Sequence, residues 1–459
     1  MDPRPPSCQA CDAPWFARSP YAAGVTKTTA SNWTNWAGNQ TATPAEIVHP
    51  ATEDALIAVV QRAAAAGRRV KVVGAGHSFT DIAATDGTLV MLDRYTEVID
   101  IDTAAYRVTV QAGIVLHDLN LALDRRGLAM PNLGDIDVQT VAGATSTGTH
   151  GTGAGITGLA GFIVGLRLII ADGTVLACSA TENADIFHVA RVGLGALGIV
   201  STVTLQVCPA FNLSVVNEPL RLDAVLGDLD AHVADNDHFE FFWVPHTGWA
   251  LTKTNNRTTA AVAPRSRLRA TFDDLVMENY AFGALCHVGR RFPAHIPRLA
   301  KVLPSSGRVA YVDQSFRVFA STRLVRFYEM EYSIPAAACG EALLRVREFV
   351  ASSGLMLNFP VEVRFTAADD IVLSSGTAEP RCYIAVHIFK GMEFRPYFEG
   401  VERIMDSYGG RPHWGKLHFQ TASTLADRYP QWDTFQAVRA RLDPDRRFAN
   451  PYLDRVLGP

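Results

Sequence analysis

Hydrophobic positions recur along this chain in two patterns, and the change between them falls near Pro209. Before that residue, short β-branched runs alternate with alanine- and leucine-rich stretches at helical spacing, which is typical of β-α-β units. The first unit is predicted as strand Ile47–Val48, helix Ala55–Ala66 and strand Val70–Val73. Thr52 is a start signal for the helix. The pattern therefore predicts an α+β domain at the amino-terminal side.

Strands and helices further along the chain are predicted from the same hydrophobic patterns. Further strands are predicted at Gly87–Leu92, Glu97–Asp102, Arg107–Ala112, Phe162–Ile170, Thr174–Cys178 and Ile199–Val207, with helices at Val115–Gly127 and Asp185–Val192. Beyond Pro209, strands are predicted at Phe239–Val244, Val325–Tyr332 and Tyr383–Phe389, and helices at Ala337–Ser352 and Pro396–Tyr408. This second pattern predicts a separate α+β layer built on an antiparallel sheet.

Composition narrows the class of protein. A chain of 459 residues is expected to form two or three domains, and a net charge of −4 gives no support for nucleic acid as a partner. No apolar run reaches the roughly 18 residues that span a bilayer. The start of the chain lacks the apolar core of a secretory signal. Seven scattered cysteines argue against a disulfide framework, and the Cys8/Cys11 pair is interpreted as incidental. We therefore expect a cytoplasmic protein.

The first candidate for chemistry is a glycine turn directly after strand Val70–Val73. Gly74 and Gly76 suit a tight turn that presents His77 and lets the backbone approach a bulky group. The stretch resembles the dinucleotide fingerprint Gly-x-Gly-x-x-Gly, but Phe79 stands at the third glycine position and no long helix follows. On these residues alone, a phosphate-binding turn and an ordinary turn both remain open.

Two further stretches of small residues follow in the same domain. Residues 138–153 are mostly Gly, Ala, Ser and Thr, so little apolar core is expected there, and their N–H and hydroxyl groups suit a pyrophosphate. A flexible linker is the alternative, although Val141, Ala142 and His150 are not typical of one. The third stretch, Gly193–Gly198, makes a cofactor site a better explanation than chance.

Seven motifs in a fixed order resemble the sugar-1,4-lactone oxidoreductases. This family comprises L-gulonolactone, D-arabinonolactone and L-galactonolactone oxidases and dehydrogenases, with alditol oxidase as a close cousin. The motifs occupy residues 73–83, 132–136, 141–153, 193–200, 329–332, 362–364 and 411–416. The resemblance covers the chain from about residue 32 to the C-terminus. It implies the α+β fold of the vanillyl-alcohol-oxidase superfamily, with a two-subdomain FAD-binding domain and an α+β cap that has a large antiparallel sheet.

The resemblance also implies a division of the chain. A loosely ordered extension (1–31) precedes the FAD-binding domain (32–209) and the cap or substrate domain (210–410). A C-terminal segment (411–459) completes the active site and returns to the FAD-binding domain. The implied FAD contacts are Val73, Gly74, Ala75, Gly76, His77, Ser78, Phe79, Gly134, Asp135, Val138, Ala142, Gly143, Ser146, Gly148, Thr149, His150, Gly198, Ile199, Val200 and Lys416.

His77 is implied to bond covalently to the flavin 8α-methyl carbon, and simple packing on the flavin is the alternative. Lys416 is implied to face flavin N1 and C2=O, where a cation favours reduction. Arg364 would bind a lactone carbonyl or polarise the reacting hydroxyl. Glu362, on the same strand face, would bind sugar hydroxyls or act as a base, and His387 would move a proton. The residues alone leave open a solvated ion-pair network for Glu362 and Arg364, and a core role for His387.

The implied reaction is FAD-dependent oxidation of L-gulono-, L-galactono- or D-arabinono-1,4-lactone to an ascorbate-type product. Reoxidation by O2 would give hydrogen peroxide. Gly134 aligns with the position where a small residue admits oxygen to the flavin in this superfamily. Oxidation of open-chain polyols and a dehydrogenase with another electron acceptor are the alternatives. The expected partners are small molecules, and no metal site is predicted.

Overall fold

The computed structural model describes residues 32–266, 268, 276–277, 279–301 and 307–459. The predicted loose extension at residues 1–31, with Cys8 and Cys11, lies outside the described residues. The strands are β1 Trp33–Thr34, β2 Thr41–Ala42, β3 Glu46–Val48, β4 Val70–Val73, β5 Thr88–Met91, β6 Val98–Asp102, β7 Arg107–Gln111, β8 Leu128–Ala129, β9 Ile163–Ile169, β10 Val175–Ser179, β11 Ile199–Gln206, β12 Cys208–Pro209, β13 Asn212–Arg221, β14 His238–Trp243, β15 Trp249–Thr258, β16 Val309–Gln314, β17 Phe327–Pro335, β18 Val361–Thr366, β19 Arg381–Phe389 and β20 Arg411–Pro412.

Helices connect and cover these strands. The α-helices are Glu53–Ala65, Leu116–Asp124, Val141–Ser146, Ala184–Ala190, Leu222–Gly227, Leu229–Ala234, Phe282–Arg291, Ile296–Leu299, Ser315–Phe319, Cys339–Ser353, Arg395–Asp406, Ala422–Leu425, Trp432–Leu442 and Pro451–Leu457. Short 3-10 turns lie at Leu159–Phe162, Pro293–His295, Ala336–Ala338 and Ala426–Arg428. None of the helices in the described part of the chain is long and apolar enough to cross a membrane.

The amino-terminal part contains two sheets. β3, β5 and β4 form a parallel sheet in that order. Helix Glu53–Ala65 packs on it through one apolar stripe, formed by Leu56, Val59, Val60 and Ala63. The Thr52 hydroxyl accepts the N–H of Ala55 at 3.2 Å, so the predicted cap is confirmed. The second sheet is antiparallel, with the order β10-β9-β11-β7-β6.

The small-residue stretch at 138–153 folds differently from what we expected. Its middle forms the short helix Val141–Ser146, and the side chains of Val141 and Ala144 are fully buried in the core of the second sheet. Small side chains let this helix pack closely. The expectation of little apolar core in this stretch is therefore wrong.

An eight-stranded antiparallel sheet forms the second part, with the order β16-β13-β15-β14-β18-β19-β17-β20. Helices Cys339–Ser353 and Arg395–Asp406 cover one of its faces, where alternate residues of the four central strands are apolar. The intervening residues point to the opposite face because side chains alternate along a strand. On that face stand Glu240, Glu329, Glu331, Glu362, Arg364, Tyr383 and His387.

The end of the chain returns to the amino-terminal part. Strand β20 pairs with the edge of the eight-stranded sheet, and the following helices bury Leu442, Tyr452 and Leu453 in the core of the second amino-terminal sheet. The five cysteines among the described residues are free thiols.

Candidate active site

A cleft of about 1020 Å³, measured with its open mouth, lies among the glycine-rich stretches of the amino-terminal part. Three segments form its walls: residues 72–83, 139–147 and 193–200. Close packing explains why small residues are needed here. A Cβ added at Gly74 would lie 2.0 Å from the Thr140 hydroxyl. A cleft walled by three segments of small residues and backbone suits a large cofactor.

Many of the predicted cofactor residues line this cleft. They are Val73, Gly74, Ala75, Gly76, His77, Ser78, Ala142, Gly143, Ser146, Gly198, Ile199 and Val200. The other predicted contacts are not among the lining residues, and they are Phe79, Gly134, Asp135, Val138, Gly148, Thr149, His150 and Lys416. Val138 is 45% exposed. Sequence reasoning did not assign the lining residues Trp33, Gln139, Thr140, Gly193, Leu194, Gly195 and Leu197, although the glycine cluster signalled the last four.

His77 stands in the cleft on an aromatic support. Its ring stacks on Trp36, with centroids 5.2 Å apart and planes 23° apart. Burial and the nearby positive charge of Lys416 lower the pKa of His77 to about 4. The imidazole is therefore neutral at pH 7 and has one ring nitrogen free of a proton.

The acidic cluster on the polar sheet face centres on Arg364 of β18. Its Nη2 lies 2.5 Å from Asp135 Oδ1, its Nε donates to Glu240 Oε2 at 2.9 Å, and it also contacts the Glu362 carboxyl. Two of these carboxyls have further cations, because Arg323 lies 3.1 Å from Asp135 and Lys253 lies 3.1 Å from Glu240.

This distribution of cations separates the pKa values of the carboxyls. Burial raises the pKa of Glu362 to about 8, and the charges of Asp135 and Glu240 add to that effect while Arg364 opposes it. Burial would also raise the pKa of Asp135, but Arg364, Lys253 and Arg323 hold it well below its usual range. Glu362 therefore keeps its proton to a higher pH than Asp135 does, although both contact Arg364.

Glu329 of β17 contacts two of the predicted catalytic residues, Lys416 and His387. Lys416 Nζ donates to its carboxylate at 2.5 Å, and His387 Nε2 lies 3.5 Å away. Burial opposes ionisation, but Lys416 and His387 lower the pKa of Glu329 to about 2. The pKa of His387 is raised, because the charge and hydrogen bond of Glu329 outweigh burial. His387 Nε2 also lies 3.9 Å from Glu362, which is near but longer than a hydrogen bond.

Lys416 links the cleft to the acidic cluster. Its Nζ lies 5.2 Å from the centroid of Phe79, two residues after His77. The N–H of Phe79 donates to the carbonyl of Gly415 at 2.7 Å. The turn that presents His77 is thus attached to the segment that carries Lys416. The structure brings all four predicted catalytic residues to one side of the sheet.

Two groups of side chains have the composition of metal ligands: His150, Glu331 and His413 form one, and Asp135, Glu240 and Glu362 the other. Internal contacts account for both. His150 Nε2 lies 3.2 Å from Glu331, and His413 Nδ1 accepts the N–H of Gly415 at 3.0 Å. The second group surrounds Arg364. Neither arrangement needs an ion to explain it.

Comparison with known proteins identifies the family. The sequence pattern of D-arabinono-1,4-lactone oxidase matches residues 203–456, which is more than half of the chain. The chain belongs to the D-arabinono-1,4-lactone oxidase family. The pattern of an FAD binding domain matches residues 44–179, which include most of the cleft. This lactone oxidase family member is thus an FAD-linked oxidoreductase, as the motifs predicted.

Two relatives resemble this lactone oxidase family member over almost its whole length. L-Gulono-1,4-lactone dehydrogenase of Mycobacterium tuberculosis is 48% identical over 431 residues, covering 93% of this chain and 99% of that protein. L-Gulonolactone oxidase of Bos taurus is 35% identical over 430 residues, covering 92% and 97%. A solvent-stable cholesterol oxidase has the same fold, with a TM-score of 0.79 at 18% identity over 93% and 97% of the two chains. The predicted fold class is confirmed.

The cleft fits FAD on its own features. Backbone and small side chains dominate the glycine-rich walls, and such surfaces hold a pyrophosphate through N–H groups. The neutral His77 stands at the turn, and Lys416 provides a cation between the cleft and the acidic cluster.

Proposed function

We propose that this protein oxidises an aldono-1,4-lactone, such as L-gulono-, L-galactono- or D-arabinono-1,4-lactone, to an ascorbate-type product. The proposal rests chiefly on one observation: Arg364, Glu362 and His387 share one sheet face with Glu329, which binds Lys416 beside the His77 turn. Substrate-binding and proton-accepting groups thus adjoin the cofactor cleft.

Arg364 orients the substrate. Its guanidinium is held from several sides by Asp135, Glu240 and Glu362, so the fork has little rotational freedom. A fixed donor of this kind can bind a lactone carbonyl or the reacting hydroxyl without losing much entropy. Neutral lactones and polyols suit the site because carboxylates already surround this cation.

Glu362 takes the hydroxyl proton when the alcohol is oxidised. It accepts a proton only when ionised, so its raised pKa sets the pH range in which it acts. His387 would pass that proton on after a small movement of its side chain, because its Nε2 lies 3.9 Å from Glu362 and 3.5 Å from Glu329. FAD, when bound, supplies the two-electron acceptor for the hydrogen on carbon. Lys416 places a positive charge where reduction would build up negative charge.

Two finer features belong to the same proposal. His77 would hold the flavin through a ring nitrogen bonded to the 8α-methyl carbon, which its neutral imidazole favours. O2 would be the electron acceptor, because Gly134 has no side chain where it packs beside the Thr149–His150 segment. A Cβ at Gly134 would lie 3.2 Å from the carbonyl oxygen of His150 and 3.4 Å from Thr149 Cγ2, which is tighter than ordinary contact.

The decisive experiment is anaerobic mixing of the purified protein with L-gulono-1,4-lactone, followed by air. We expect the flavin absorbance to bleach and then recover in air with release of hydrogen peroxide. Acid precipitation should leave yellow flavin in the pellet of the wild-type protein but not in that of His77→Ala.

Other outcomes would change the proposal in defined ways. Bleaching without recovery in air would make the protein a dehydrogenase and remove the role of Gly134. Bleaching by xylitol but not by lactones would make it an alditol oxidase. A flavin that stays oxidised with every lactone and polyol would refute the proposed activity.

A further inference from the structure

The C-terminal clasp, residues 443–450, is connected to two of the three walls of the cofactor cleft. The Asp443 carboxylate accepts the N–H groups of Arg447 at 2.6 Å and Phe448 at 2.8 Å, which folds the clasp into a compact turn. The N–H of Val70 donates to the Arg447 carbonyl at 2.8 Å. The clasp is thus attached to β4, the strand that leads into the His77 turn.

The wall formed by residues 193–200 is joined to the clasp through Lys71. This lysine is 2% exposed, and its Nζ donates to the carbonyls of Gly195 at 3.2 Å and Phe448 at 3.1 Å. Gly195 belongs to the glycine loop that lines the cleft, and its φ of 61° lies in the left-handed region. Burial lowers the pKa of the Lys71 amine to about 7, and a buried amine is costly unless its N–H groups are hydrogen-bonded. Its placement between two carbonyls therefore points to a fixed position for this loop.

The wall formed by residues 72–83 is joined to the clasp through Asn450. Its Nδ2 faces three carbonyl oxygens, those of Asp81 at 2.9 Å, Ile82 at 3.1 Å and Ala84 at 2.9 Å. Ile82 lines the cleft a few residues after His77. The Asn450 Oδ1 accepts the N–H of Leu453 at 2.9 Å, so the same side chain also caps helix Pro451–Leu457.

We propose that Asn450 and Lys71 are positioning residues for the cofactor, which hold two of the three walls of the cleft, residues 72–83 and 193–200, at the separation that FAD requires. The two walls come from segments more than a hundred residues apart, and the clasp contacts both. The inference rests on FAD occupying this cleft. It adds a role in cofactor retention to the last part of the chain, away from the substrate groups.

The substitution Asn450→Asp separates this role from simple helix capping. Aspartate caps a helix as well as asparagine does, but a carboxylate cannot donate to the three loop carbonyls. We expect FAD affinity to fall at least tenfold in Asn450→Asp and in Lys71→Met, with partial rescue in Lys71→Arg. Affinity is measured by quenching of flavin fluorescence, in a His77→Ala background so that binding stays reversible. Thr52→Ala, which removes a cap outside the cleft lining, is the control and should change affinity less than threefold.

Hydrogen exchange on the full-length holoprotein gives a second measurement that does not depend on His77→Ala. Exchange should accelerate in residues 80–84 of Asn450→Asp and in residues 193–198 of Lys71→Met, while β14 and β18 stay protected. Unchanged affinity and exchange would overturn the proposal, and so would acceleration spread evenly along the chain. The result is independent of the proposed reaction: a wild-type flavin that lactones fail to reduce would refute the activity and leave the clasp test valid.

Discussion

At the scale of single residues, Glu362 differs from its neighbours because it shares Arg364 with two other carboxyls, and its second basic neighbour is the more distant His387 rather than an arginine or lysine. Asp135 and Glu240 each have one, in Arg323 and Lys253. Charge balance, rather than burial alone, therefore decides which carboxyl keeps its proton. A buried acid with a pKa of about 8 can change protonation state near physiological pH.

This leads to a prediction for the pH profile. Because Glu362 must be ionised to accept a proton, the rate of flavin reduction by lactone should rise with pH and level off above about 8. In Glu362→Gln the rate should fall by about 10²–10⁴-fold and lose this inflection. Rapid-mixing absorbance measurements between pH 6 and pH 10 test it.

The matched control for that profile is Glu402→Gln. Glu402 is also a buried carboxyl, but it accepts a hydrogen bond from Tyr332 and lies on helix Arg395–Asp406, which covers the other face of the sheet. The inflection near pH 8 should persist there. A wild-type inflection that survives in Glu362→Gln would assign the base to another group.

At the scale of elements, strand β17 shows how one alternating pattern builds both core and site. Met330 and Tyr332 enter the apolar core under the helices, while Glu329 and Glu331 bind cations on the opposite face. A shift of one residue in register would exchange these two sets. The register between β17 and β19 therefore fixes both which residues enter the core and which residues face the site.

A pH-dependent stability follows for Glu329. Its pKa is lowered from 4.5 to about 2, so its stabilising contribution is present above pH 4.5 and is lost as the pH falls toward 2. Glu329→Gln should lower the free energy of unfolding by about 1.5–3 kcal/mol at pH 6. The difference from wild type should shrink at pH 3. Urea titrations at both pH values test this, and a constant difference would contradict the assigned contact with Lys416 and His387.

Sequence patterns predicted individual strands and helices better than they predicted which distant residues meet at the site. Strand β4 has the predicted bounds, and helix Glu53–Ala65 begins two residues before the predicted start. Glu362 and Arg364 were placed on one strand face from their spacing. Asp135 and Glu240 could not be placed beside them, because those contacts join three distant segments. Trp33 likewise carried no local signal for the cleft, since only the folded chain brings it there.

At the scale of the whole molecule, the cofactor-binding part and the eight-stranded sheet meet at Thr152. Its hydroxyl donates to the Phe239 carbonyl of β14 and accepts the N–H of Phe365 of β18 at 3.2 Å. Gly153 continues the contact, because its N–H donates to the Phe365 carbonyl at 2.7 Å. One residue pair therefore joins the glycine-rich segment to the strand that carries Arg364.

We predict that Thr152→Val destabilises this junction. Valine has nearly the same shape as threonine but cannot form these two hydrogen bonds. The Phe239 carbonyl and the Phe365 N–H then lose their partner, and each unsatisfied buried group costs about 1–3 kcal/mol. Flavin reduction by lactone should slow, while FAD content stays unchanged. Urea unfolding and anaerobic reduction measure the two effects. Thr109→Val removes a partly exposed hydroxyl pair with Thr204 and should change neither; equal losses in both variants would contradict a special role for the junction.

The surroundings of Arg364 also bear on which form of the sugar can enter. A 1,4-lactone is uncharged, but hydrolysis opens its ring to an aldonate that carries a carboxylate. The guanidinium that would attract such an anion already faces Asp135, Glu240 and Glu362, and the first of these is held ionised. Because this cation is already paired with carboxyls, we expect a ring-opened acid to gain too little here to offset the cost of burying its charge. Spontaneous hydrolysis of the sugar should then remove substrate without creating a strong inhibitor.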